Sequence, residues 1–138
     1  MSLIEIWKGE RFSVLAWGDE ADCQLIDYLY DLEIATRERL LSIIRSAATY
    51  GPFRNEATCS RLADADWEEI FEFNAGEDIR VAWFFEIGNQ IICTHGFGGY
   101  KEYKISDEVE KARTIRSQYR KERADAKTRK QKRQSQAG

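Results

Sequence analysis

IRVAWFFEIGNQIICTHGF, residues 79–97, decides how this chain folds. Two runs rich in aromatic and β-branched residues flank "IGN", a spacer short enough for a hairpin turn. The first run, "IRVAWFFE", is apolar on both faces, which fits a central strand covered by helices on at least one side. The second, "QIICTHGF", ends at the chain's single histidine, His95, and then at Gly96. His95 reads as the close of a core strand and Gly96 as the residue that permits a bend there.

Working outward, "EEIFEFN" precedes this pair and is separated from it by "AGED", again hairpin length. At the N-terminus "LIEIW" and "RFSVLAW" flank "KGE", so residues 3–7 and 11–17 read as another hairpin. From Ala21 the period changes: Leu25, Ile26, Leu29 and Leu32 recur at helical spacing, as do Leu40, Leu41, Ile44 and Ala48. Two helices are expected, about 21–32 and 35–49, forming either an αα-hairpin or one bent helix. Asp19 is a candidate N-cap, and "YGPF" supplies Gly51 as a C-terminal cap and Pro52 as a stop. Residues 53–67 read as loop. A last helix begins near Asp107, with Val109, Ala112, Ile115 and Tyr119 as a narrow apolar stripe. The order β-β-α-α-β-β-β-α describes one α+β domain, an antiparallel sheet with helices packed on it. Residues 1–123 form that domain, and 124–138 a basic tail expected to fray or stay disordered.

Charge divides the chain. Residues 111–138 carry a net +9, the first 110 residues a net −12. Such a division fits two surfaces with different partners, the basic end suiting a polyanion such as RNA. No run reaches the length of a membrane span, and the N-terminus lacks a signal-peptide pattern, so a cytoplasmic protein is expected. Cys23, Cys59 and Cys93 are widely spaced and fit neither a disulfide framework nor a zinc site; buried reduced thiols are expected, with no metal and no small-molecule cofactor. Cys93 and His95 lie two apart on a strand, so a thiol–imidazole dyad on one face is a candidate. "GFGGY" lacks the Lys-Ser/Thr of a phosphate loop.

A stronger candidate is cationic and phenolic. Arg80 stands in an otherwise apolar strand, so it must be paired or face a cleft. Lys101, Tyr103 and Lys104 follow the adjacent strand and would leave the sheet near Arg80. Together they could hold a phosphodiester, stabilise a pentacovalent transition state and move a proton. The alternative is a structural pair between Arg80 and Glu72 or Glu86.

The ordered set "YGPF", "SRLAD", "IFEF", "IRVAWFF", "CTHGF" and "DEVEKARTIRSQY" resembles the RelE/ParE toxin superfamily, specifically its phage-derived HigB-like branch of type II toxin–antitoxin toxins. The resemblance implies a twisted antiparallel sheet with an N-terminal helical hairpin on one face and a C-terminal helix. It also implies a ribosome-dependent mRNA endonuclease that works without metal, by attack of a ribose 2′-hydroxyl on the adjacent phosphate. A helix-turn-helix antitoxin would neutralise it. Carried over, Arg80 holds the phosphate, Lys101 and Lys104 match the basic residues after the His-Gly-Phe strand, and Tyr103 transfers the proton. His95 braces the strand end. Arg61, Arg113, Arg116 and Arg120 are the candidate RNA contacts. Asn74 and Ile105 depart from the family pattern, where an arginine and a proline are usual, and Gly98–Gly99 shifts the basic residues. The alternatives are a ParE-like gyrase inhibitor and a degenerate member that only binds its antitoxin.

Overall fold

A computed structural model of the chain describes residues 2–62, 69–76, 78–98 and 104–137, with side chains described to Lys130. Among these residues six strands form one sheet: β1 (Leu3–Lys8), β2 (Ser13–Trp17), β3 (Cys59–Arg61), β4 (Ile70–Asn74), β5 (Arg80–Glu86) and β6 (Gln90–Phe97), in spatial order β1-β2-β6-β5-β4-β3. The described residues also form the α-helices α1 (Gln24–Asp31), α2 (Ile34–Tyr50) and α3 (Ile105–Ala137).

The expected antiparallel sheet is corrected: it is mixed. The hairpin β1–β2 and the meander β3–β4–β5–β6 are each antiparallel, but β2 joins β6 in parallel, Ser13–Ala16 lying beside Gln90–Cys93. Local hairpin signals specify neighbours in sequence. The β2–β6 seam joins strands more than seventy residues apart, and nothing local encodes its direction. The sheet also gains an edge strand, β3, within residues expected to be loop.

The expected N-terminal helical hairpin is likewise absent. A β-hairpin comes first, and the helices that follow both pack on the sheet, with Arg37 of α2 also donating to the Leu29 and Tyr30 carbonyls of α1. α1 packs on β6 and β2, whereas α2 packs on β1, β2 and β4. Leu25 and Leu29 of α1 and Leu40 and Ile44 of α2 bury in one core with Val14, Phe73, Val81, Trp83 and Ile91. Trp83 is fully buried, its ring 4.8 Å from Phe71 and 5.2 Å from Phe73 in stacked geometry. Burial of such a ring contributes about 3 kcal/mol or somewhat less.

The opposite sheet face takes α3. Val109 and Ala112 pack with Ile70, Ala82 and Phe97, and Ile115 and Tyr119 with Trp17, Phe84 and Ile92. The stripe read from periodicity is therefore the buried one, and β5 is covered on both faces. Beyond Arg123 each described residue of α3 is exposed. The helix nonetheless continues to Ala137, through the stretch expected to fray.

Two local readings also change. Asp19 does not cap α1: its Oδ1 accepts from the backbone N–H groups of Ala21 and Asp22 at 3.0 and 2.8 Å, closing a tight turn, and the helix begins at Gln24. Gly51 does cap α2, in the left-handed region at φ 98°, and Pro52 opens a single 3₁₀ turn, Pro52–Arg54.

Candidate functional site

Arg80 is the first residue of β5, opposite Asn74 of β4 and Phe97 of β6. Alternation along β5 puts Arg80, Ala82 and Phe84 on the α3 face. Glu72 of β4 shares that face, and its carboxylate accepts a hydrogen bond from the Arg80 guanidinium in an ion pair. Glu72 is nearly buried, while the Arg80 side chain keeps 18% of its surface exposed. Burial pushes the Glu72 carboxyl above its ordinary pKa, against the pull of Arg80 and the Ser60 hydroxyl. Its second oxygen, Oε2, is buried without a hydrogen-bond partner among the described residues. The pair thus holds a fixed cation at the sheet's end, part of it open to solvent.

The chain leaves the sheet beside this cation, because Phe97 lies opposite Arg80. Gly98 permits the exit: a Cβ there would stand 1.5 Å from the Asp78 carbonyl oxygen. Lys101 and Tyr103 lie outside the described residues. Lys104 is exposed at the start of α3, where its carbonyl accepts from the N–H groups of Asp107 and Glu108.

His95 sits on the α3 face as well, for a reason the sequence hides. Ala82 faces His95 and Trp83 faces Cys93, so Thr94 is an extra residue, a β-bulge. The bulge reverses the alternation. Cys93 points into the α1–α2 core, His95 toward α3, and the candidate Cys93–His95 dyad is excluded. Cys93 is fully buried and its thiol is pushed well above its usual range, as is that of Cys59, to about 12. Cys23 is buried too, so all three cysteines are buried free thiols.

His95 is 1% exposed, its Nε2 2.6 Å from Glu108 Oε2 and its Nδ1 2.9 Å from the Thr94 hydroxyl. Burial holds the imidazole below its ordinary pKa, against the opposing pull of Glu108. The ring thus pairs with Glu108 through Nε2 and with the Thr94 hydroxyl through Nδ1, and that hydroxyl in turn donates to the Ala82 carbonyl at 3.3 Å. This clamp fastens the first turn of α3 to the sheet, and Glu108 is a partner that the sequence reading did not find. Tyr28 is another. Its ring lies on Gly96, where a Cβ would meet it at 2.0 Å, and its hydroxyl donates to the Phe97 carbonyl at 3.1 Å. Gly96 therefore makes room for a ring rather than for a bend.

The candidate RNA arginines divide. Arg113, Arg116 and Arg120 each follow a buried residue of the α3 stripe, placing them in a row about 100° around the helix from it. Arg120 also lies over the Phe84 ring at 5.8 Å. Arg61 is elsewhere: register sets it opposite Phe71, on the α2 face, with its guanidinium 5.2 Å from that ring. It belongs to a different surface from Arg80.

The fold and the site together define a small α+β protein, with a cation at one sheet end backed by a buried carboxylate. Residues 27–130 match the family described as Phage derived protein Gp49-like (DUF891), and the chain belongs to that family. It is associated with toxins of toxin–antitoxin systems of the RelE/HigB-like kind. No curated protein matches the chain. Among the described residues no helix is long and apolar enough to cross a membrane.

Proposed function

We propose that this protein is the toxin of a type II toxin–antitoxin pair and cleaves mRNA on the ribosome. The observation that carries the reading is Arg80, held at the sheet end by buried Glu72 and partly open where the chain exits toward α3. A guanidinium in that position suits a phosphodiester, whose two free oxygens match its donor fork. In the proposed reaction the ribose 2′-oxygen gives up its proton, attacks the adjacent phosphorus and expels the 5′-oxygen, which takes up a proton. Arg80 holds the phosphate and offsets its growing charge, Lys101 and Lys104 add to that offset, and Tyr103 moves the proton. Arg113, Arg116 and Arg120 on α3 and its basic continuation contact RNA phosphates without reading sequence. A helix-turn-helix antitoxin is the proposed neutralising partner.

The test is primer extension on mRNA after induced expression. Cuts within translated regions are expected, and Arg80→Ala should reduce them by roughly 10²–10³. Because Arg80→Ala also strands buried Glu72, the companion is Arg80→Ala with Glu72→Gln, which relieves the unpaired charge. Restored folding without restored cleavage supports the role of Arg80. Growth arrest with intact mRNA refutes the nuclease reading: DNA damage would point to a gyrase poison, and no arrest at all to a protein that only binds its antitoxin.

A further inference from the structure

On the α2 face, the edge strand β3 and the turn Pro52–Arg54 frame an open pocket of about 740 Å3. Its floor is Phe71 and Phe85, with ring centroids 5.5 Å apart. Phe53 forms a wall, 5.1 Å from Phe71 and 5.7 Å from Phe85, yet keeps 52% of its own surface in water. The remaining lining is polar: Glu56, Glu69 and Arg61, stacked over Phe71.

This combination selects among ligands. Two carboxylates repel a phosphate, and a purely apolar ligand would strip them of water with nothing in return. A flat heteroaromatic ring with N–H donors satisfies every group: its face stacks on phenylalanine and guanidinium, and its edge donates to carboxylate. Beyond the turn Pro52–Arg54 lies a second cleft of about 450 Å3, which shares Cys59 with the first. Its Ser42, Ser46 and Thr58 hydroxyls and the Arg54 guanidinium suit a ribose and its phosphate.

We propose that these two clefts bind one unstacked purine nucleotide of single-stranded RNA, guanine best. The base stacks on Phe53 with N1–H and N2–H donated to Glu56 or Glu69, and the ribose phosphate lies toward Arg54. This rests on the RNA reading above. Arg80 and Phe85 are five residues apart on β5, about 16 Å at strand rise, and face opposite sides of the sheet. The captured base is therefore a few nucleotides from the one cut, reached around the short edge strand β3. It sets which sites are cleaved rather than performing the cleavage.

The test titrates the purified full-length protein with GMP and, separately, UMP, following the NMR signals of Phe53, Ser60, Arg61 and Glu69. Saturable shifts with GMP and weaker ones with UMP are expected. Phe53→Leu keeps an apolar side chain but loses the stacking surface, and should weaken GMP binding by roughly fivefold to a hundredfold. Glu56→Gln with Glu69→Gln should erase the preference for GMP over UMP. In induced cells Phe53→Leu should redistribute the cleavage sites. No GMP shifts, or equal affinity in Phe53→Leu, overturns the proposal, as do shifts caused by the antitoxin but not by RNA. If GMP fails to bind while mRNA is still cut, the pocket reading fails and the nuclease stands. If GMP binds and mRNA stays whole, the nuclease reading fails instead.

Discussion

Gly96→Ala should destabilise this protein through one side chain, Tyr28. An added Cβ would meet Tyr28 Cδ1 at 2.0 Å and Cγ at 2.2 Å. Ordinary carbon contact begins near 3.5 Å, so the ring must withdraw by about 1.5 Å. It cannot do so and keep the 3.1 Å hydrogen bond from its hydroxyl to the Phe97 carbonyl. Overpacking of this kind costs about 1–3 kcal/mol and the lost hydrogen bond about 1 more. The total is about 2–4 kcal/mol. Gly96 is not in the left-handed region, so backbone strain adds nothing. Urea unfolding of Gly96→Ala, of Tyr28→Ala and of the double variant forms the cycle. With the ring gone the alanine should cost almost nothing, giving a coupling close to the whole single-variant effect. An alanine that costs as much without Tyr28 as with it would refute the reasoning.

Two further outcomes follow from the same contacts. Burial holds His95 below its ordinary pKa of 6.5, so the unfolded chain binds the proton more readily. The contribution of His95 is fully present above pH 6.5 and declines as pH falls from there toward the folded value. Unfolding midpoints of the natural chain between pH 8 and 5 should therefore fall more steeply than those of His95→Asn, and parallel curves would count against the clamp. Deleting residues 124–138 removes a part of α3 whose described side chains are all exposed. Stability should change by less than about 0.5 kcal/mol, while the salt dependence of RNA binding falls by up to about 0.7 per lost phosphate contact. A large drop in stability, or an unchanged salt slope, would refute one half or the other.

The elements were largely legible because each rests on local physics. Aromatic and β-branched runs between hairpin-length turns marked "IRVAWFFE" and "QIICTHGF", period 3.6 marked Leu40, Ile44 and Ala48, and Gly51–Pro52 marked the helix end. The Arg80–Glu72 pair was visible as one of two options, since an arginine in an apolar strand needs a partner. The α3 stripe from Val109 to Tyr119 was visible in full.

What the chain alone determined, then, was most of the strands and helices, β3 and the end of α3 excepted, and that Arg80 requires compensation. Both depend on residues within a few positions of each other. Tertiary structure decided the rest. The parallel β2–β6 seam joins segments far apart in sequence, and the Thr94 bulge turns His95 to the face opposite Cys93. Glu108 meets His95 only because α3 crosses that face. Tyr28 meets Gly96 only because α1 crosses the other. A bulge carries no composition signal and a parallel seam no turn signal, so their consequences appear only when distant segments come into contact.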